Sequence, residues 1–424
     1  MAGSDGGIRI VACTLGRQTP GRGDQSRRQQ RQTRYSQHTD HGDSARRRTS
    51  LEKNSHSITP MTARRRSCIW ANTGSRCVAR QPDSNPNCLT GPQRSGPSYA
   101  MSESSASTPT EPVKNFEEVR KKIQEYPTQR IAVASGTDEQ TLIAAAQARD
   151  EKIATTVLVG DEKLIHANAE KAGVDLHEID IIDVQDPVKA AYRAVEEVSS
   201  GKAQIYMKGY IHSDDFLRTV ISRDVGLRTD NMLNHVFILD ATHLGRLLFI
   251  TDGAMNIKPD LEKKARIIAN TVALAQLFDI EVPKVAVLSA VEVIQPNIEA
   301  TLEAAALAKM SDRRQFHGGI VDGPFALDNA INPVAAKYKK VTGPVAGHAD
   351  ILLVPEITTG NVLAKSFAHI SGGVSAGLIF GAKTPVVLPS RSDPMICKLM
   401  GIACAVYVAG ATVSKRVKIG KVHF

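Results

Sequence analysis

Past residue 100 the chain has only two cysteines, Cys397 and Cys404. That scarcity argues against a disulfide-stapled secreted fold, fits a reducing cytosol and sets the expectation of a cytoplasmic protein. No apolar stretch in the same region reaches the ~18–20 residues of a membrane span. The longest candidate, residues 372–388, is broken by glycines, Lys383 and Pro385, so no membrane partner is expected. Several chemical signatures are missing as well. There is no Gly-x4-Gly-Lys-Ser/Thr loop, and the stretch 371–377 is not a dinucleotide fingerprint between a first strand and its helix. The histidines are scattered, with no HExxH and no Cys–His cluster, so no metal is implied. No Gly-x-Ser-x-Gly elbow follows a predicted strand.

Charge divides what is present. Residues 1–100 hold 17 Lys+Arg against 6 Asp+Glu, and the remainder holds 36 against 38, so the whole-chain +9 belongs to the head. Phosphate neutralisation needs a concentrated basic face, which the near-neutral body lacks, and no nucleic-acid partner is expected for it. Residues 1–110 read as a disordered basic extension, rich in Arg, Ser, Gln, Thr and Gly, with apolar runs too short for a core. Its four cysteines, Cys13, Cys68, Cys77 and Cys88, fit neither a zinc site nor a disulfide framework. Three readings compete for it: a nucleic-acid arm, an organelle transit peptide, or sequence upstream of a true start at Met101.

The 324 residues from Met101 exceed the ~250–300 at which single cores stop growing, so two domains are expected. Short, mostly β-branched runs at 131–134, 157–160, 205–207, 285–288, 351–354 and 385–388 suit parallel strands buried on both faces. Between them lie helical segments such as 259–278. Pro259 suits its first position, and Leu261, Ala265, Ile268, Val272 and Ala275 line one face. The alternation predicts a doubly wound α/β fold. The runs 236–240 and 247–252 are too close for a parallel crossover and predict an antiparallel pair near a domain boundary. Domain I is expected over 111–232 plus 385–424, and domain II over 233–384.

Ligands of open α/β sheets bind at the carboxyl ends of strands, which directs attention to the loops there. After 385–388 come Ser390, Arg391 and Asp393, a hydroxyl, a guanidinium and a carboxylate within four residues, followed by Pro394 and a helix through 395–408. Asp393 before Pro394 also reads as an ordinary N-cap. After 351–354, Gly360 and Asn361 open a helix whose amides suit an anion, with Asn361 a plausible cap. Lys208 and Arg218 lie in a charged region, 208–229, that reads either as a solvated face or as an anion-recognising entrance; helical spacing puts Arg218 and Ser222 together. Thr251-Asp252-Gly253 and Asp322-Gly323-Pro324 read as plain turns.

These segments, in order, carry a resemblance. MKGYIHSDDFLR, LLFITDGAMNIKPDLEKK, KVAVLSAVE, GGIVDGPFALDNAI, PVAGHADILLVPEITTGN and VVLPSRSDP resemble the phosphate acetyl/butyryltransferase family over about 116–408. The likeness favours the butyryltransferase-like branch, including the transferase half of bifunctional enoyl-CoA hydratase/phosphate acetyltransferases. It implies two α/β/α domains with mostly parallel sheets around a cleft, similar to isocitrate/isopropylmalate dehydrogenases, with the C-terminal helix returning to domain I. It implies reversible transfer of an acyl group between coenzyme A and inorganic phosphate, without metal or redox cofactor, in at least a homodimer. By the same likeness Arg391 is the cation and Ser390 the donor for the developing oxyanion, and Arg218 contacts phosphate or CoA. Acetyl-specific members carry a catalytic aspartate six residues past the arginine, where this chain has Cys397; Asp393 is the nearest carboxylate. Two other classes stay open: an NAD-dependent dehydrogenase on the same fold, and a non-catalytic CoA-binding module.

Overall fold

The computed structural model describes residues 111–415 and 417–424. The basic head, its cysteines and its three readings lie outside the described residues. The strands are β1 (Gln129–Ala134), β2 (Ala154–Gly160), β3 (Ile179–Asp183), β4 (Ile205–Lys208), β5 (Asn234–Ala241), β6 (Arg246–Thr251), β7 (Lys284–Leu288), β8 (Ile320–Phe325), β9 (Ile351–Leu353), β10 (Ser375–Phe380) and β11 (Val386–Val387). The helices are α1 (Phe116–Lys122), α2 (Glu139–Asp150), α3 (Glu162–Ala172), α4 (Pro187–Ser199), α5 (Ser213–Val220), α6 (Leu261–Leu277), α7 (Glu299–Asp312), α8 (Leu327–Ile331), α9 (Pro333–Tyr338), α10 (Ile357–His369) and α11 (Met395–Lys415).

Among the described residues the eleven strands join one sheet in the order β3-β2-β1-β4-β11-β10-β5-β6-β9-β7-β8. The α/β class is as expected, and most pairings are parallel; the antiparallel ones are β11–β10, β10–β5 and β5–β6 at the centre. The expected β5–β6 hairpin is there, with Val236 opposite Thr251. Residues 111–232 with 385–424 supply β3 to β11 of that order, and 233–384 supply β10 to β8. The two sets share one sheet rather than owning separate ones.

The cores follow the same pattern. On one face a continuous apolar core runs from Ile131 and Leu158 under α2 to Phe249 and Ile351 under α6, with α11 between. On the other face there are two cores. Val157, Tyr206, Val386 and Leu388 pack under α4 and α5, while Leu239, Ile250, Leu352 and Ala364 pack under α8 to α10. A seam is left between them over β5, β10 and β11.

Local chemistry sets the helix starts. α2, α3, α4 and α6 each begin on an aspartate, Asp138, Asp161, Asp186 and Asp260, whose carboxylate accepts an amide of the first turn. Asp260 therefore displaces Pro259 from the predicted first position. α6 starts at Leu261, which is exposed, while Ala265, Ile268, Val272 and Ala275 are buried as expected. The missed strands have a common cause in two cases. β3 (IDIID) and β8 (IVDGPF) are the two edges, where acidic residues, Gly and Pro are tolerated. Asp322-Gly323-Pro324 is thus part of a strand, not a turn. α11 corrects a second expectation: it is long and apolar enough to cross a membrane. Its residues are instead mostly buried against α2, β10, α1 and α6, so its apolarity serves the core.

Candidate active site

β1, β4 and β11 are parallel neighbours, so the loops at their carboxyl ends, residues 135–138, 209–212 and 388–394, meet at one edge. The first two are stitched together. Gly209 N donates to Ala134 O (2.8 Å), Tyr210 N to Ser135 O (2.8 Å), and Ser135 Oγ to Tyr210 O (3.1 Å). A Cβ on Gly209 would come within 2.4 Å of the Ser135 carbonyl oxygen, so only glycine fits this crossing.

Two lysines are buried beneath these loops. Lys208, 1 % exposed, donates to the carbonyls of Gly209 and Ile211 at 3.3 Å. Lys398, fully buried on α11, donates to Asp138 Oδ1 (3.3 Å) and Thr141 Oγ1 (3.2 Å). Burial, with the Lys398 and Arg391 charges, holds the Lys208 ammonium down to about 8, against the pull of Asp138 and Asp393. A depressed lysine is protonated in the unfolded chain over a range where the folded chain has lost its proton. The unfolded state then binds more protons, so stability rises as pH climbs from about 8 towards the ordinary value of 10.5. We expect a rise of about 1.4 kcal/mol for each unit of depression. Urea unfolding of wild type and Lys208→Met between pH 7 and pH 10 checks it. Identical pH slopes in the two proteins would contradict the depression.

In the third loop Ser390 N donates to Asp393 Oδ2 (2.7 Å), Asp393 N to Ser390 O (3.2 Å), and the Ser390 and Ser392 hydroxyls lie 3.1 Å apart. The carboxylate of Asp393 turns back to Ser390 instead of capping α11. The first amide of α11, Met395 N, is taken by Gln140 Oε1 of α2 (2.9 Å). Burial raises the Asp393 carboxyl above its usual range and outweighs the Ser390 amide and the charges of Lys398, His369 and Lys208. Cys397 lies buried one turn on, and burial pushes its thiol up. It offers no substitute for a carboxylate.

Ser390 and Asp393 line a cleft of about 140 Å³ in the seam between the two cores. The opposite wall is α10, with Asn361, Lys365 and His369, and the floor includes Ser375 and His235. His235, the second residue of β5, is fully buried, and both its ring nitrogens are closed off from solvent. Burial holds its imidazole down to about 4, against the pull of the Asp252 carboxylate and of a hydrogen bond to the Leu388 backbone. Asp252 itself clamps the loop after β6. It accepts from His235 N (3.0 Å), Ala254 N and Met255 N (2.9 Å each) and Asn256 Nδ2 (2.6 Å).

The remaining predicted residues fare unequally. Asn361 reaches the cleft but is not a cap: α10 starts four residues earlier, where Glu356 accepts from Thr358 N (2.8 Å) and Thr359 N (2.7 Å). Asn361 Nδ2 instead donates to Gly253 O (3.1 Å). Gly360 is buried where a Cβ would meet Asp252 O at 2.8 Å, so it is a close-approach spacer. Arg391 is exposed at the mouth and is not among the cleft's lining residues. Arg218 is 73 % exposed and pairs with Asp215 at 3.6 Å, outside the cleft; α5 ends at Val220, before Ser222. Lys208 stands behind the loops rather than in the lining. Sequence reasoning missed Asp138, His235, His369 and Lys398. Among the described residues no group of three His, Cys, Asp or Glu is placed to hold a metal ion. A larger hollow of about 670 Å³ lies at the amino ends of β1 and β4, but no carboxylate or histidine lines it.

Polar groups thus converge at the strand ends of an α/β sheet, and the fold is that of the phosphotransacylases. The family model for phosphate acetyl/butaryl transferase matches residues 115–189 and 184–406, and the chain belongs to that family. A phosphate butyryltransferase of Clostridium beijerinckii is 45 % identical over 296 residues, 70 % of this chain and 98 % of that protein. A phosphate acetyltransferase of Rhizobium meliloti is 41 % identical over 277 residues, 65 % of this chain and 88 % of that one. The crystal structure of a branched-chain phosphotransacylase from Enterococcus faecalis V583 superposes with a TM-score of 0.59. It is 29 % identical and covers 66 % of this chain and 99 % of its own.

Proposed function

We propose that this enzyme moves a short-chain acyl group between coenzyme A and inorganic phosphate in the cleft at Ser390 and Asp393. One observation carries the site: a carboxylate with a raised pKa, a hydroxyl and a guanidinium share one four-residue loop above two buried ammonium groups. In the direction of acyl-CoA synthesis the thiol gives its proton to Asp393, sulfur attacks the acyl carbonyl, and the bond from carbon to phosphate oxygen breaks. In reverse, phosphate oxygen attacks the thioester and the CoA sulfur leaves, taking a proton. A raised carboxyl is the stronger base for a thiol. The Ser390 hydroxyl and the Arg391 guanidinium at the mouth suit the oxyanion and the phosphate. Lys208 and Lys398 act through their field, from beneath.

A cleft of about 140 Å³ has room for the reacting ends but not for a whole coenzyme A, whose nucleotide then lies over the exposed surface outside it. Arg218 belongs to that outer surface in this reading. The enzyme works without a cofactor, in the cytosol, as a homodimer or larger. Sedimentation velocity decides the last point, since a monomer at micromolar concentration removes it.

The decisive assay follows thiol release from acetyl-, propionyl- and butyryl-CoA with and without phosphate. Phosphate-dependent release with at least one of them is expected. Folded protein inactive with all three would overturn the reading, and CoA binding without turnover would leave the binding module.

A further inference from the structure

Whichever way the transfer runs, the cleft must hold a phosphoryl group, as inorganic phosphate or as the phosphate end of an acyl phosphate. Such a group carries about two negative charges. Asp393 lines the same cleft, and it must be a carboxylate when it takes the thiol proton. Two anions brought together in about 140 Å³ repel, so a cation is needed within reach of both.

The other cations nearby are engaged or set back. Lys208 gives its hydrogens to the carbonyls of Gly209 and Ile211, and Lys398 to Asp138 and Thr141. Arg391 stands at the mouth, outside the lining. Among the side chains that line the cleft, Lys365 is the one permanent cation. It belongs to α10, the wall across from Ser390 and Asp393. That helix, ITTGNVLAKSFAH, has no carboxylate to pair with it, and no other described residue forms an ion pair with it. Successive turns of α10 set Asn361, Lys365 and His369 on one edge, with the small Ala364 and Ala368 beside them. The polar edge lies towards the Ser390 loop, since the charge of His369 acts on the Asp393 carboxyl. The helix is also anchored. Gly360 packs where a Cβ would meet Asp252 O at 2.8 Å, and Asn361 Nδ2 donates to Gly253 O at 3.1 Å. Lys365 keeps contact with solvent, so its charge costs the fold little and stays open to an entering anion.

We propose that Lys365 binds the phosphoryl group, holding inorganic phosphate and the phosphate end of the acyl phosphate against the Ser390 loop. An ammonium on a flexible stem, with rotating donors, can follow the phosphate onto and off the acyl carbon. This inference rests on the acyl-transfer reading above and adds the residue that gives the phosphate its affinity.

Lys365→Met and Lys365→Arg test it in the thiol-release assay, with phosphate and acyl-CoA varied separately. We expect Lys365→Met to raise KM for phosphate about 10- to 10²-fold, the loss of one charge-assisted hydrogen bond, with KM for acyl-CoA little changed. Lys365→Arg, which restores charge and donors, should recover most of that loss. Melting temperatures of both should match wild type, because an exposed lysine without an ion pair does not hold the fold. Calorimetric titration with inorganic phosphate alone makes the same comparison without turnover. A Lys365→Met variant with the wild-type KM for phosphate overturns the inference, as does a Lys365→Arg variant no better than Lys365→Met. A rise in KM for acyl-CoA alone also overturns it, since the lysine would then serve the phosphates that coenzyme A itself carries. All three outcomes need an active wild type and fail this inference alone. Wild-type protein without phosphate-dependent CoA release fails the acyl-transfer reading instead.

Discussion

Asp393→Asn should lose between about 10² and 10⁴ in turnover, the contribution of a positioned general base, while remaining folded. The reasoning separates the two roles of this side chain. As an acceptor it holds the loop, taking Ser390 N at 2.7 Å, and the amide oxygen of asparagine can take the same hydrogen. As a base it must accept a proton, which asparagine cannot. Stability should therefore hold or rise: burial already disfavours the charged carboxylate, which is why its pKa lies above the usual range, and a neutral amide escapes that cost. The pH profile provides an independent readout. Activity of the wild type should fall on the acid side as Asp393 gains its proton, at a pH above the ordinary carboxylate range. Lys208 and Lys398 hold that limb down, so Lys208→Met should move it to higher pH. If Asp393→Asn keeps more than a tenth of wild-type turnover, the base lies elsewhere and Asp393 only closes the turn to Ser390.

How much of this was legible depended on where each residue sat. The central strands were readable because burial on both faces leaves a nearly unbroken apolar run, as in 285–288; the edge strands were not, because β3 and β8 meet solvent and tolerate Asp and Pro. The Ser390 loop stood out because a strand and Pro394 bracket it. Asp138 occupies the same kind of position after β1, and the rule applied there would have found it. Lys398 left a fainter trace, a charge in the apolar first turn of a helix, with a partner 260 positions away. His235 left none, since a histidine at the start of a strand looks alike whether its ring is paired or not. Arg218 lies outside the cleft, on the exposed surface. Local charge does not report which way a helix faces, and α5 turns this arginine to solvent. Asn361 was taken for a cap because asparagine is a preferred one, yet Glu356, a less favoured residue, reaches two amides and starts the helix first.

Lys398→Met should cost the fold about 2–4 kcal/mol, a drop in melting temperature on the order of 4–10 °C. Two effects oppose each other, and their sizes decide the sign. Removing the ammonium deprives Asp138 of its cation at 3.3 Å in a largely buried setting, and breaking such a pair from one side costs about 3–5 kcal/mol. It also relieves Lys208, whose pKa Lys398 helps to depress. Each unit regained is worth about 1.4 kcal/mol, but burial is the larger cause of that depression, and an apolar side chain in place of Lys398 would not undo it. Asp138 keeps its bonds from Thr141 N (3.1 Å) and Thr141 Oγ1 (2.5 Å), which puts the net loss at the lower end. Asp138→Asn alone should be milder, because a neutral amide still accepts from Thr141 N at the start of α2, while the ammonium left behind has Thr141 Oγ1 at 3.2 Å. The double variant should lose less than the sum of the two, since neither charge then remains unpaired. Additive losses, or a Lys398→Met variant melting within about 1 °C of wild type, would mean that the pair does not tie α11 to α2 and that the field beneath Asp393 has another source.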